Sequence, residues 1–153
     1  MVKTPHIDAL HGESVRLTNY HVSPTCAPTR AALMTGSYPN RVGMSGALNH
    51  TSTTGLNPRE KKLAQVFKEQ GYATAIFGKW HLGDQPEFLP TRQGFDVFFG
   101  IPYSDDQTKD KRPETWPELP LMRNEKVIEA PVDRDYLVKR CTEEAISFIE
   151  EHR

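Results

Sequence analysis

Cys26, Pro28 and Arg30 stand within little more than one helical turn, and the run Ala31-Ala32-Leu33-Met34-Thr35-Gly36 follows them. Pro28 suits the first position of a helix, where its missing N–H costs nothing. Gly36 suits the left-handed cap that ends one. Cys26 is therefore expected at or just before a helix N-terminus. Free backbone N–H groups and the positive end of the dipole gather there, which favours an anion or an activated nucleophile. A lone cysteine is more often a small buried hydrophobe, so the chemistry depends on its neighbours. A second group is Gly78-Lys79-Trp80-His81-Leu82-Gly83, where two glycines bracket a cation, an indole and a titratable imidazole. Read as structure alone, it is a polar turn with Trp80 packed on the core. It also follows a short apolar run, and ligand sites of α/β sheets lie beyond the carboxyl ends of strands.

The elements around these groups follow from local chemistry. Thr4 to Leu10 reads as a short helix, capped by Thr4, with Pro5 at its first position and Gly12 ending it. Ser14 to Val22 alternates as a strand would, and delivers the chain to Cys26. Residues 36–55 are rich in Gly, Ser, Thr and Asn and read as loop. Asn57-Pro58-Arg59-Glu60 predicts a helix start, and Leu63, Ala64 and Phe67 give it an apolar stripe as far as Gly71. Tyr72 to Phe77 is a short buried strand. Helix, glycine, strand is half of an α/β unit, so the fold class is α/β, a mostly parallel sheet flanked by helices 28–35, 58–70 and 134–152. Residues 84–131 are proline-rich and mostly irregular, with an edge strand within 121–129. Asp133 caps the last helix, whose stripe is Leu137, Val138, Cys141, Ala145, Phe148 and Ile149. Cys141 on that stripe reads as a buried structural thiol.

Composition narrows the function classes. The chain has 153 residues, enough for one modest core, and a net charge of −1 with charges of mixed sign. No basic patch points to nucleic acid. No run of about 18 apolar residues points to a membrane span. The first residues lack the apolar stretch of a signal peptide. Cys26 and Cys141 do not make a disulfide framework, so cysteine usage does not indicate a compartment.

Residues 26–36 resemble the signature of the sulfatase family, Cys-x-Pro-Ser/Thr-Arg followed by small and apolar residues and Thr-Gly. Thr29 occupies a position that is most often Ser in the family. Gly71-Tyr72-Ala73-Thr74 through Gly83 resembles the second signature, Gly-Tyr-x-Thr and then Gly-Lys-Trp-His-Leu-Gly. Gly94-Phe95-Asp96 and Phe98-Phe99-Gly100 resemble a further stretch. Gly100-Ile101-Pro102-Tyr103-Ser104 is similar to the arylsulfatase A branch, where a His follows; Asp105 stands at that place. The resemblance covers nearly the whole chain. It implies an alkaline-phosphatase-like catalytic domain, of which residues 1–153 form a front portion without the first strand and the C-terminal part.

The resemblance implies a sulfuric ester hydrolase acting on a sulfate ester. Cys26 is converted after translation to formylglycine by a formylglycine-generating enzyme, which reads the Cys, the Pro and the Arg. The aldehyde hydrates to a gem-diol. One hydroxyl attacks sulfur and expels the alcohol; the second is deprotonated, sulfate is eliminated and the aldehyde returns. Residue 26 is then the nucleophile and also a ligand of a divalent cation, usually calcium. Arg30 holds the diol and balances its charge. Lys79 is a point charge for the sulfate oxygens. His81, on the same face as Lys79 by the two-residue spacing of extended chain, is a base towards the diol. Ser104 donates to sulfate, although a turn serine is an equal reading of that residue.

The aspartate and Asp-Asn ligands that hold the cation in the family match nothing here, and neither Asp8 nor the Asp105-Asp106 pair fits their motifs. The chain alone is therefore expected to be inactive. The resemblance implies a periplasmic, secreted or lysosomal compartment. Three other readings compete. One is the same formylglycine chemistry on phosphate or phosphonate esters, which Gly100 to Ser104 disfavours. Another is a non-catalytic truncated domain that associates through exposed sheet edges. The last is a Cys26 thiolate hydrolase, for which no Asp or Asn partner of His81 is evident.

Overall fold

The computed structural model describes residues 2–153. Among the described residues, four α-helices and a four-stranded sheet, with three short 3-10 helices, make up the regular structure: α1 Pro5–Glu13, α2 Cys26–Thr35, α3 Leu63–Glu69, β1 Ala75–Lys79, β2 Val97–Ile101, β3 Leu121–Arg123, β4 Lys126–Glu129 and α4 Arg134–Glu151. The strands lie in the order β1-β2-β3-β4. β1 and β2 are parallel, while β2-β3 and β3-β4 are antiparallel. The α/β class holds, with helices on a sheet. Among the described residues the sheet is mixed rather than mostly parallel, because residues 121–129 fold back as a hairpin instead of forming one edge strand.

β2 is the centre of the molecule. Side chains alternate across a strand, and the alternation here divides the core. Phe98 points into a cluster with Ala27 and Ala31 of α2, Trp80 and Leu82. Phe99 and Ile101 point into a second cluster with Tyr103, Leu119, Leu121 and Val132. Leu137 and Cys141 of α4 pack on that second cluster, and Phe148 meets Phe77 edge to face at 5.9 Å. The sheet thus carries α2 on one face and α4 on the other.

Local signals account for several boundaries. Gly36 has φ 64° and its N–H donates to Ala32 O, ending α2 as expected. Gly71 has φ 84°. Gly71 N–H donates to Lys68 O and Tyr72 N–H to Phe67 O, the two bonds of a Schellman stop. The Asp133 side chain accepts from Asp135 N–H at 3.0 Å and caps α4.

Other expectations are corrected. α1 runs past Gly12 to Glu13 and buries none of its residues. Residues 14–22 form no strand despite their alternation. A strand needs a neighbour to take its backbone groups, and no described strand lies beside them. α2 begins at Cys26, so Pro28 lies inside its first turn rather than at its first position. α3 begins at Leu63 rather than Pro58. Asn57 Oδ1 accepts from Arg59 N–H at 3.0 Å, which makes a local turn instead of a helix cap. Lys62, extended and buried, donates its Nζ to Pro58 O at 2.7 Å and delays the helix. The strand expected at 72–77 runs from Ala75 to Lys79 and is only half-buried. β2 lies within the stretch expected to be irregular. On α4, Val138 and Ile149 are exposed and Cys141 is half-buried; burial still raises the Cys141 thiol pKa above its ordinary value.

Candidate active site at the end of the first strand

α2 places residue 26 in its first turn, and β1 delivers Lys79, Trp80 and His81 at its carboxyl end. Arg30 ties the two together. Its Nε donates to Trp80 O at 2.5 Å, and its Nη2 donates to Lys79 O. Part of the guanidinium fork is thus engaged by backbone carbonyls, and the remaining N–H groups are left for a ligand. Burial lowers the Arg30 pKa from its ordinary value, while the thiol of Cys26 opposes this; an arginine remains a cation regardless.

Trp80 is fully buried, with its Nε1–H on Phe88 O at 2.8 Å. Its backbone N–H donates to Ile101 O, and the His81 N–H donates to Pro102 O, each at 2.9 Å. The β1–β2 pairing is thereby extended two residues past the strand. His81 then turns out of the extended conformation, with φ 57°. Non-glycine residues in this region cost about 1–3 kcal/mol and cluster at functional sites. The alternation expected to place Lys79 and His81 on one face therefore does not apply, and the turned backbone aims the imidazole instead.

His81 is 1% exposed. Its Nδ1 lies 3.2 Å from Cys26 Sγ, and its Nε2 lies 2.8 Å from Leu48 O. A carbonyl only accepts, so Nε2 carries the hydrogen and the neutral ring presents a bare Nδ1 to residue 26. Burial pushes the His81 pKa below its ordinary value; the Leu48 carbonyl opposes this, and the Lys79 and Arg30 charges reinforce it. The shift favours the unprotonated ring, the form in which it can act as a base.

Lys79 forms no salt bridge among the described residues, yet its charge reaches both His81 and Asp106. Hydrogen bonding from Ser104 holds the Asp106 carboxyl below its usual range, with Lys79 and His81 contributing. Ser104 also closes a turn by accepting from Gln107 N–H at 3.0 Å. The structure thus brings the Cys26 and His81 side chains into contact and sets Arg30 against the Lys79 and Trp80 carbonyls. It places Ser104 in the adjoining 102–107 segment, engaged locally. Sequence reasoning passed over Leu48 and Gln107, and weighed Asp106 only as a cation ligand that its motif does not fit. The Leu48 contact is through its backbone carbonyl, which every residue has, so no residue-type signal could have found it. A separate cleft of about 640 Å³ lies beside α2, bordered by Tyr20, Val22, Thr29, Leu33 and Tyr38, and includes none of Cys26, Arg30, Lys79 and His81.

A divalent cation is a different matter. Calcium takes about six to eight oxygen ligands. Among the described residues no three His, Cys, Asp or Glu side chains are grouped to hold an ion, and residue 26 is flanked by an imidazole and a guanidinium. This donor set does not fit a calcium cage.

Comparison with known proteins agrees with the fold and with the family resemblance. The chain is similar to mouse (Mus musculus) arylsulfatase G, 34% identical over 97% of this chain and 33% of that protein. It is similar to bovine (Bos taurus) arylsulfatase A, 49% identical over 68% of this chain and 21% of that protein. It therefore spans at most about a third of the length of these relatives. Among solved structures, the PsFucS1 sulfatase from Pseudoalteromonas sp. superposes with a TM-score of 0.80 at 28% identity, over 97% of this chain and 35% of that one. BT4656, solved in complex with D-glucosamine-2-N,6-O-disulfate, superposes with a TM-score of 0.67 at 26% identity, over 99% of this chain and 27% of that one. The family model described as Sulfatase matches residues 1–153 from end to end, and this chain belongs to the sulfatase family.

Proposed function

We propose that this protein is a sulfuric ester hydrolase of the arylsulfatase type, with Cys26 converted to formylglycine as its nucleophile. The observation that carries this reading is the pairing of Cys26 Sγ with a bare His81 Nδ1 at 3.2 Å. In the mature site, oxygens of the hydrated residue 26 take the place of Sγ. One of them attacks sulfur while the bond from sulfur to the ester oxygen breaks, and the alcohol leaves with a proton. His81 Nδ1 then takes the proton of the second hydroxyl. The carbonyl of residue 26 reforms and its bond to the sulfate oxygen breaks, releasing sulfate. Lys79 supplies a point charge to the sulfate oxygens, and the free N–H groups of Arg30 balance the charge on residue 26. Ser104 is proposed as a further donor to sulfate, on reorientation from Asp106. Residue 26 would offer one oxygen to a divalent cation, but the described residues do not complete the set that calcium takes, and no step above depends on one. The substrate class is a sulfate ester, consistent with the sulfated sugar in the BT4656 complex, and a formylglycine-generating enzyme is the required partner.

The test is mass spectrometry of the tryptic peptide 17–30 from full-length protein made with the maturing enzyme, paired with turnover of aryl sulfate and aryl phosphate. An aldehyde at residue 26 and preferential sulfate turnover are expected. A fully active protein with an intact thiol would overturn the nucleophile. Preferential phosphate turnover would overturn the substrate class.

A further inference from the structure

We propose that Gln107 is a positioning residue for His81, acting through the carbonyl of Leu48. This rests on the reading of His81 as the base towards residue 26. The Leu48 oxygen accepts two hydrogen bonds, from His81 Nε2 and from Gln107 Nε2, each at 2.8 Å. Because a carbonyl has two lone pairs and no hydrogen to give, both partners must donate. The Gln107 amide is therefore oriented with its NH₂ end towards Leu48, and the imidazole is held as the Nε2–H tautomer.

Leu48 has no other anchor at that oxygen. It sits in an irregular segment whose neighbours Gly46, Ala47 and Asn49 are exposed, and no described helix or strand bond ends on its carbonyl. Its side chain packs on the first core cluster, which locates the residue. Packing leaves the peptide plane free to turn, whereas hydrogen bonds fix it. Gln107, 59 positions away, supplies the second of these. Its own backbone is fixed by the turn to Ser104 O at 3.0 Å, and Thr108 beside it is buried. Gln107 Oε1 is buried without a partner among the described residues. The side chain thus keeps its donor on Leu48 while its own acceptor goes unmatched.

The consequence concerns which ring nitrogen faces residue 26. The hydrogen bond made by one imidazole nitrogen decides the state of the other. With the Leu48 carbonyl held in place, Nδ1 remains bare. With the carbonyl free to swing, the Nδ1–H tautomer becomes accessible, and that form cannot take a proton from residue 26.

Two variants of the full-length protein test this, Gln107→Met and Gln107→Glu. Met keeps the length and removes the donor; Glu turns it into an acceptor facing another acceptor. Nitrogen-15 NMR of the histidine rings, with the His81 signals identified from the His81→Asn protein, reads the tautomer without any turnover. Aryl-sulfate kinetics reads kcat and KM separately. The expected result is Nε2–H in the parent and growing Nδ1–H content in Met and then Glu. The kcat of the Met variant should fall by about tenfold, the scale of one hydrogen bond, with KM little changed. Parent-like tautomer in both variants would overturn the proposal. So would a loss confined to KM or to folded yield. A tautomer shift in a protein inactive on every sulfate ester would leave the positioning role standing and remove the hydrolase reading instead.

Discussion

Cys26 Sγ and His81 Nδ1 lie 3.2 Å apart, although 55 positions separate them in the chain. Neither element reaches the other unaided. The Arg30 side chain pins α2 to the carbonyls at the end of β1, and the left-handed backbone at His81 turns the ring towards the helix. The pair is therefore a product of two separate constraints, and each can be removed by itself.

Removing the imidazole tests the base. His81→Asn keeps a residue type that tolerates the positive φ, so the loop should fold. Its kcat on aryl sulfate should fall by about 10²–10⁴-fold, the usual contribution of a positioned base. Steady-state kinetics on the modified protein checks this, and a kcat within a few-fold of the parent would count against His81 as the base.

Arg30→Lys tests the clamp. A lysine carries the charge but lacks the planar fork that meets two successive carbonyls. Loss of one charged hydrogen bond costs about 1.5–3 kcal/mol, and a loss on that scale is expected in urea denaturation. Activity should fall as well, since residue 26 and His81 are no longer held in register. A lysine variant as stable as the parent would show that the carbonyl contacts contribute little.

Gly100→Ala probes the parallel pair that carries the site. Gly100 lies opposite Gly78, and an added Cβ would stand 1.8 Å from the Gly78 carbonyl oxygen. The strands would have to separate beneath Lys79. Destabilisation on the order of 3 kcal/mol is expected, at the upper end of overpacking effects, with a lower thermal midpoint as the readout. The midpoint should be unchanged if the strands can part freely.

Asp96 sets a pH dependence. Its Oδ2 accepts from the Thr74 N–H at 3.0 Å and from the Thr74 hydroxyl at 2.8 Å, and Lys68 pairs with its Oδ1. These partners, Lys68 foremost, hold the carboxyl below its ordinary value of 3.8. A depressed folded pKa means that the ionised form stabilises the fold. The contribution is complete above the unfolded value and is lost as pH falls through the folded one. Denaturation midpoints should therefore drop more steeply below about pH 4 in the parent than in Asp96→Asn. Parallel curves would show that Asp96 is not a source of the acid sensitivity.

Local steric and capping chemistry can be read directly from sequence. Gly36 and Gly71 end their helices because few other residues adopt a left-handed cap. Asp133 caps α4 because its carboxylate reaches a free N–H two residues on. The cysteine, arginine, lysine and histidine stand out only because their two motifs resemble the sulfatase signatures, and the same resemblance carries the family. The alternation at 14–22 shows the limit, because a strand is a property of a pair and the residues alone do not supply the partner. The same limit explains why β2 falls in a stretch that reads as irregular and why residues 121–129 read as one edge strand rather than a hairpin, since their pairing depends on distant segments. Within the site, tertiary structure alone decided the direction of His81, which depends on a backbone turn and on the Leu48 carbonyl. It alone brought Gln107 onto the carbonyl that holds that ring. A main-chain carbonyl has no letter in the sequence, and a contact made through one becomes visible only when the chain has folded around it.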